Sequence, residues 1–321
     1  MSATNFRRSS IIAGLGATAA TGLARRPARA ADLIPLRVGG IPIDPSAQCF
    51  YAQDLGMFKE AGLDATLTVL GNGASVIAAT ASGALDIASG SPGPVLLAHS
   101  QGIAMKFIAT GVVYAGVVVN AALMVLKNSL LRSGADFNGK RIGVGGLHDM
   151  TSYSIQAWID HGGGDSKTVQ FVELPYAAMA VALEQNRVDA VGIIEPFITG
   201  AKSVAQIAGN LNDAVSNHYL LSGWCAESGW LARNGEAARR FFVAMQRSAQ
   251  WANAHQKESG VILQRYTKIA PEVMATMARS HYDETVRVDV SEIQPVINVM
   301  AKYGNLKPFP ATDVIWTPPN A

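Results

Sequence analysis

Cysteine is scarce, with only Cys49 and Cys225 among 321 residues. Two thiols make no metal site, and nothing in their spacing demands a disulfide, so they read as two buried free thiols. The six histidines include no HExxH and no close pair, which leaves a metal centre without a spacing argument. The Gly71-Asn72-Gly73 turn lacks the third glycine of a dinucleotide fingerprint. Ser89-Gly90-Ser91-Pro92-Gly93 has Ser89 where a nucleophile elbow needs glycine, and a capping serine is the better account. No apolar run is long enough to span a bilayer, since the N-terminal run Ile11–Ala24 has 14 residues.

That run belongs to an expected leader. Arg7-Arg8 precedes it, and Ala28-Arg29-Ala30 follows as an A-x-A cleavage site, so Met1–Ala30 reads as an export signal removed near Ala30. The adjacent arginines resemble the twin-arginine signal, with an ordinary secretory signal as the alternative. Five of the 26 basic residues lie in this segment and none of the 24 acids, which leaves 21 bases against 24 acids. Nucleic-acid binding thereby loses its electrostatic support.

What is present is a pattern used twice. Ser82–Gly102 reads as a helix end, an apolar strand (Ala84–Ala88) and a Ser-Gly-Ser-Pro turn, with Pro92 suited to the first helical turn and Ser91 to the cap. Gln185–Ile198 repeats the order: helix end, Asp189, an apolar strand, then Glu195 before Pro196. Each turn puts backbone N–H groups at the carboxyl edge of a sheet, where open α/β folds bind ligands. Strands at Leu36–Gly40, Ala65–Leu70 and Ala104–Thr110 alternate with helices at Ser46–Ala61 and Ala74–Ala81, which predicts a mostly parallel sheet flanked by helices. Val112–Lys127, interrupted at Gly116 and Asn120, reads as crossing strands that leave this lobe. A second lobe follows from Lys140–Val144 through a helix near Thr151-Ser152, a strand at Val169–Leu174 and a helix at Tyr176–Asn186 to Val188–Ile194. Trp224–Arg233 returns, and the helix Gly235–His255 turns Phe241, Met245, Ala249 and Ala252 inward. The fold class is thus α/β in two lobes, the second inserted in the first.

Two candidate positions have competing explanations. His148-Asp149 is a solvated turn or a polar ligand contact at the start of a helix. Glu195 sits at a helix start, where the dipole favours an acid with or without a ligand.

Ala52-Gln53-Asp54-Leu55-Gly56-Met57-Phe58-Lys59-Glu60-Ala61-Gly62-Leu63 resembles the A-x-x-x-G-x-F-x-x-x-G-L block of solute-binding proteins for aliphatic sulfonates, taurine, nitrate and thiamine-pyrimidine precursors. Gly83-Ala84-Leu85-Asp86 with Pro92, Leu174-Pro175-Tyr176, and Glu195-Pro196-Phe197 resemble its later blocks. Ile194 stands where the family has an aromatic, and His148-Asp149-Met150 intervenes in a simpler Gly-Ser/Thr approach.

The resemblance implies a type II periplasmic-binding-protein fold with its ligand cleft between the lobes. Lobe 1 would be 31–115 with 225–321, and lobe 2 would be 116–224. It implies a periplasmic, monomeric, cofactor-free protein that hands a small-molecule solute to the membrane subunits of an ABC permease. The site it implies is Ser46 and Gln48, Ser89-Gly90-Ser91, Thr151 and Ser152, and Glu195, with His148, Asp149 and Tyr176 as further candidate ligand-binding residues. The alternative is a desulfinase-like enzyme on the same fold with Cys49, near a helix start, as nucleophile.

No Arg or Lys occurs in Pro42–Gln48, Ser89–Pro92, Gly145–Ser152 or Ile193–Pro196. Helix starts and hydroxyls would hold an anion, while Asp149 and Glu195 favour a donor on the same ligand. The expected solute is therefore a small organic anion with a donor group.

Overall fold

A computed structural model describes residues 33–116, 118–147, 149–304 and 306–317. The expected leader Met1–Ala30 and His148 lie outside the described residues. The first strand, β1 (Ile34–Gly40), ends in a 3-10 turn at Asp44–Ser46. Where one helix was expected over Ser46–Ala61 there are two, α1 (Gln48–Asp54) and α2 (Met57–Glu60). Gly56 separates them with a left-handed backbone, φ 73°, which glycine adopts at little steric cost. Ala47 occupies the N-cap of α1 without a side-chain hydrogen bond.

The chain continues through β2 (Leu63–Val69), α3 (Gly73–Ala81), β3 (Ile87–Gly90), α4 (Pro92–Ser100) and β4 (Met105–Tyr114). It then crosses to β5 (Ala121–Leu126), β6 (Arg141–Val144), α5 (Met150–His161), β7 (Gln170–Glu173), α6 (Tyr176–Glu184), β8 (Ala190–Ile194), α7 (Phe197–Ala201) and β9 (Ala205–Asn210). It returns through β10 (Tyr219–Glu227) to five helices. These are α8 (Ser228–Arg233), α9 (Gly235–Ala254), α10 (Gln256–Thr267), α11 (Pro271–Thr276) and α12 (Val290–Tyr303).

Two five-stranded sheets result, ordered β2-β1-β3-β10-β4 and β7-β6-β8-β5-β9. In each, four strands run one way and the fourth in order runs against them. These antiparallel strands, β10 and β5, are the first strands after each passage between the sheets. The crossing segment Val112–Lys127 therefore divides, its first part completing β4 and its last part forming β5.

The repeated Asp of the two sequence patterns has the same use in both halves. Asp86 accepts the Arg37 backbone N–H at 2.8 Å and its guanidinium at 2.6 Å. Asp189 accepts the Arg141 N–H at 2.8 Å and its guanidinium at 3.2 Å. Both pairs clamp the start of the third strand in a sheet's order to the second, β3 to β1 and β8 to β6, away from the turns at the other strand ends.

Beneath the first sheet Phe50, Phe58, Trp224 and Phe241 are buried together, with Phe58 and Phe241 stacked at 5.9 Å. Each such side chain contributes roughly 1.5–3 kcal/mol by leaving water. The expected inward face of α9, Phe241, Met245, Ala249 and Ala252, is wholly buried. The second sheet packs Ile142, Val144 and Ile155 against Phe137.

Candidate functional site

A partly open cavity of about 60 Å³, counted as space for the centre of a water molecule, lies between the edges of the two sheets. With a water radius of about 1.4 Å added around it, the molecular space is roughly 200 Å³. Three helix starts reach it: Gly73 at α3, Ser91 at α4, and Asp149, Met150 and Thr151 at α5. Helix starts present N–H groups and the positive end of the dipole, so the field in the cavity favours anions. Ile41, Ile43, Ile194, Leu211 and Leu221 supply apolar wall. Asn120, Asn212 and Tyr219 add polar groups at the crossings, and no Arg or Lys lines the space among the described residues.

The two helix starts from opposite halves touch directly. A Cβ on Gly93, in the first turn of α4, would lie 3.2 Å from the Met150 backbone nitrogen and 3.4 Å from Asp149 carbonyl carbon. Glycine is what permits this approach, because the atoms it meets are backbone and cannot swing aside.

Asp149 is the N-cap of α5. Its Oδ1 accepts the Thr151 N–H at 2.8 Å and the Ser152 N–H at 3.2 Å. Burial nevertheless pushes its carboxyl up to about 6, with Glu173 adding to the rise against the pull of those N–H groups. The Tyr176 hydroxyl lies beside Asp149 and Thr151, and burial pushes that phenol well above its ordinary range. Tyr176 also stacks on Phe197 with centroids 6.1 Å apart.

Of the residues expected from sequence, the cavity brings together Ser46, Ser91, Asp149, Thr151 and Tyr176. Ser91 holds the N-cap position of α4, but its side chain makes no capping hydrogen bond. The others are placed elsewhere for identifiable reasons. The Gln48 carbonyl oxygen accepts the Trp224 indole N–H at 2.8 Å, and its amide faces the Met245 carbonyl. Ser89 and Gly90 are buried within β3 rather than in the turn after it. The Ser152 hydroxyl donates to the Leu147 and Asp149 carbonyls.

Glu195, 1% exposed, is not on the cavity wall. Its carboxylate accepts the Thr199 N–H at 3.0 Å, the Thr199 hydroxyl at 2.8 Å and the Ala278 N–H at 3.3 Å, and burial raises its pKa. Sequence reasoning missed Asn120, Asn212, Tyr219, Ser154 and Ser222. The one signal for them was the polar break at Asn120 in an otherwise apolar, β-branched run.

Cys49 and Cys225 are free and fully buried, and burial pushes both thiols far above their usual range. Cys49 therefore presents no thiolate to the cavity. No three His, Cys, Asp or Glu side chains among the described residues are placed to hold a metal ion.

A "Putative binding protein" of Brucella abortus (strain 2308) is 26% identical over 257 residues, 78% of this chain and 77% of that protein. Among solved structures, the alkanesulfonate-binding protein SsuA from Xanthomonas axonopodis pv. citri, bound to MOPS, superposes with a TM-score of 0.75 at 16% identity, covering 89% of this chain and 99% of that one. The periplasmic nitrate-binding protein NrtA from Synechocystis PCC 6803 gives 0.72 at 15% identity over 89% and 85%. A ligand-binding component of an ABC-type import system from Staphylococcus aureus gives 0.77 at 16% identity over 88% and 96%. These likenesses establish the two-lobed α/β fold of periplasmic binding proteins. The family model described as NMT1/THI5 like matches residues 45–259, two thirds of the sequence, and the chain belongs to that family.

Proposed function

We propose that this chain is the exported solute-binding component of an ABC importer, capturing one small organic anion and delivering it to membrane permease subunits. The observation that carries the reading is the cavity at the start of three helices, without a lysine or arginine among its described walls. Helix N–H groups and hydroxyls can hold a sulfonate or carboxylate without a formal cation. Sulfonate- and nitrate-binding neighbours of the same fold, and a relative named for binding, support it. The lobes, 31–115 with 225–321 and 116–224, would close on the solute as a monomer, by binding and release without turnover. The leader Met1–Ala30 would take the chain to the periplasm.

Cavity contents refine the ligand. Asp149 lines the space and Glu195 does not, so a single acid is left to favour a donor group on the solute. Micromolar affinity, roughly −8 kcal/mol, is within reach of a few such contacts plus a buried apolar body. The test is a thermal-shift screen of mature protein against MOPS, ethanesulfonate, taurine, acetate and nitrate. An organic sulfonate or carboxylate raising the melting temperature more than nitrate is the expected result. No shift with any of them would overturn the proposal.

A further inference from the structure

Three buried polar side chains form a directed relay at the two crossings. Tyr219, the first residue of β10 and 1% exposed, donates its hydroxyl to Asn212 Oδ1 at 3.0 Å. Asn212, also 1% exposed, donates Nδ2 to Asn120 Oδ1 at 2.8 Å. Asn120 stands immediately before β5 and is 3% exposed. Its carbonyl accepts the Glu195 N–H and its own N–H goes to Val118. Asn120 lines the cavity, and its Nδ2 has no acceptor among the described residues.

The direction of the relay follows from the phenol. Burial holds the Tyr219 hydroxyl protonated, so it carries one hydrogen that must be donated. Turning both amides over would make that oxygen an acceptor and leave its hydrogen without a partner, which a buried site penalises. With Tyr219 donating, both amide oxygens are consumed and N–H is left at the cavity end.

We infer that the Asn120 side-chain amide reads the solute, accepting only a ligand that offers an oxygen acceptor there, with Asn212 and Tyr219 as its positioning residues. The inference rests on the solute-binding reading and adds the group that selects within it. The ligand class is an oxyanion, sulfonate or carboxylate, bound by one of its oxygens to Asn120 Nδ2. The helix starts attract any anion through their field, whereas this amide fixes where an oxygen must sit. Because the relay runs from the first residue of β10 to the residue before β5, the solute's oxygen is linked through it to the first strand after each passage between the sheets.

The test is calorimetry with ethanesulfonate, acetate and ethylammonium on the wild type, Asn120→Asp and Tyr219→Phe, with circular dichroism to confirm folding. Asn120→Asp is isosteric and replaces the donor by an acceptor, so oxyanion affinity falls roughly thirtyfold or more, the loss expected for a hydrogen bond to a charged group. Ethylammonium binding does not fall. Tyr219→Phe frees Asn212 and weakens oxyanions by about fivefold. In ¹⁵N spectra, the Asn120 side-chain signals, identified by their absence from Asn120→Asp, move on adding ethanesulfonate to the wild type.

Folded Asn120→Asp binding oxyanions within about twofold of wild type overturns the inference, as do unmoved Asn120 signals at saturation. If Asn120→Asp does not fold, unchanged oxyanion affinity in Tyr219→Phe overturns it. If the wild type binds neither oxyanion, the solute-binding reading falls and the inference falls with it.

Discussion

The carboxylate of Asp149 holds the first N–H groups of α5 and, half buried, also lines the cavity. In the unfolded chain an aspartate titrates near about 3.9. Folding raises Asp149 to about 6, chiefly by burial, so between those values the folded chain holds more protons than the unfolded one. Stability therefore falls as pH rises from about 4 to 6, by about 1–3 kcal/mol, and is level above that window as far as this group is concerned. Urea midpoints for wild type and Asp149→Asn at pH 4, 5, 6 and 7.5 check it, since asparagine still caps a helix but does not titrate. The expected result is that the wild type loses stability relative to the variant as pH rises from about 4 to 6, with a level difference above that. The same ionisation opposes an anion in the cavity, so sulfonate affinity also declines through pH 6 in the wild type only.

At the scale of the elements, the helix starts that meet across the cavity make a sharper test of closure. Gly93→Ala puts a methyl group 3.2 Å from the Met150 nitrogen, and relief requires this contact between the halves to open by a few tenths of an ångström. Overpacking of this kind costs about 1–3 kcal/mol. Calorimetry should show oxyanion affinity reduced about tenfold or more, while denaturation of the ligand-free protein changes little.

These elements also show what was readable beforehand. Pro92 announces α4 by its fixed φ, and the helix expected near Thr151-Ser152 begins at Met150, whereas the capping role of Asp149 emerges only in the structure. Gly56 breaks the expected helix with its left-handed backbone, and the α9 helix that α1 packs on lies far along the chain and carries no local signal. Glu195 could be placed in its turn, but its Ala278 partner is 83 residues away and carries no local signal. Asn120, Asn212 and Tyr219 were passed over for the same reason: each is an ordinary polar residue near a strand end, and only the return of β10 brings them into line.

Across the whole molecule, the turns beside the cavity are held by contacts within the first half and by two hydrogen bonds from that half to Glu195. The Asp44 N–H donates to the Glu195 carbonyl at 3.2 Å, and Asp44 Oδ1 accepts the Arg279 guanidinium at 2.6 Å. Tyr282 donates its hydroxyl to the Asp44 carbonyl, and Ala278 donates to Glu195. The turn after β1, the turn after β8 and the segment after α11 thus meet beside one another, closing one side of the space between the sheets. The central claim, that this space holds one small oxyanion, is tested most directly by native mass spectrometry of protein purified without denaturation, compared with its denatured mass. A single non-covalent adduct per chain, of a small sulfonate or carboxylate and displaced by added ethanesulfonate, is the predicted result. A protein that carries no adduct and takes up none from ethanesulfonate, taurine or acetate would contradict the account.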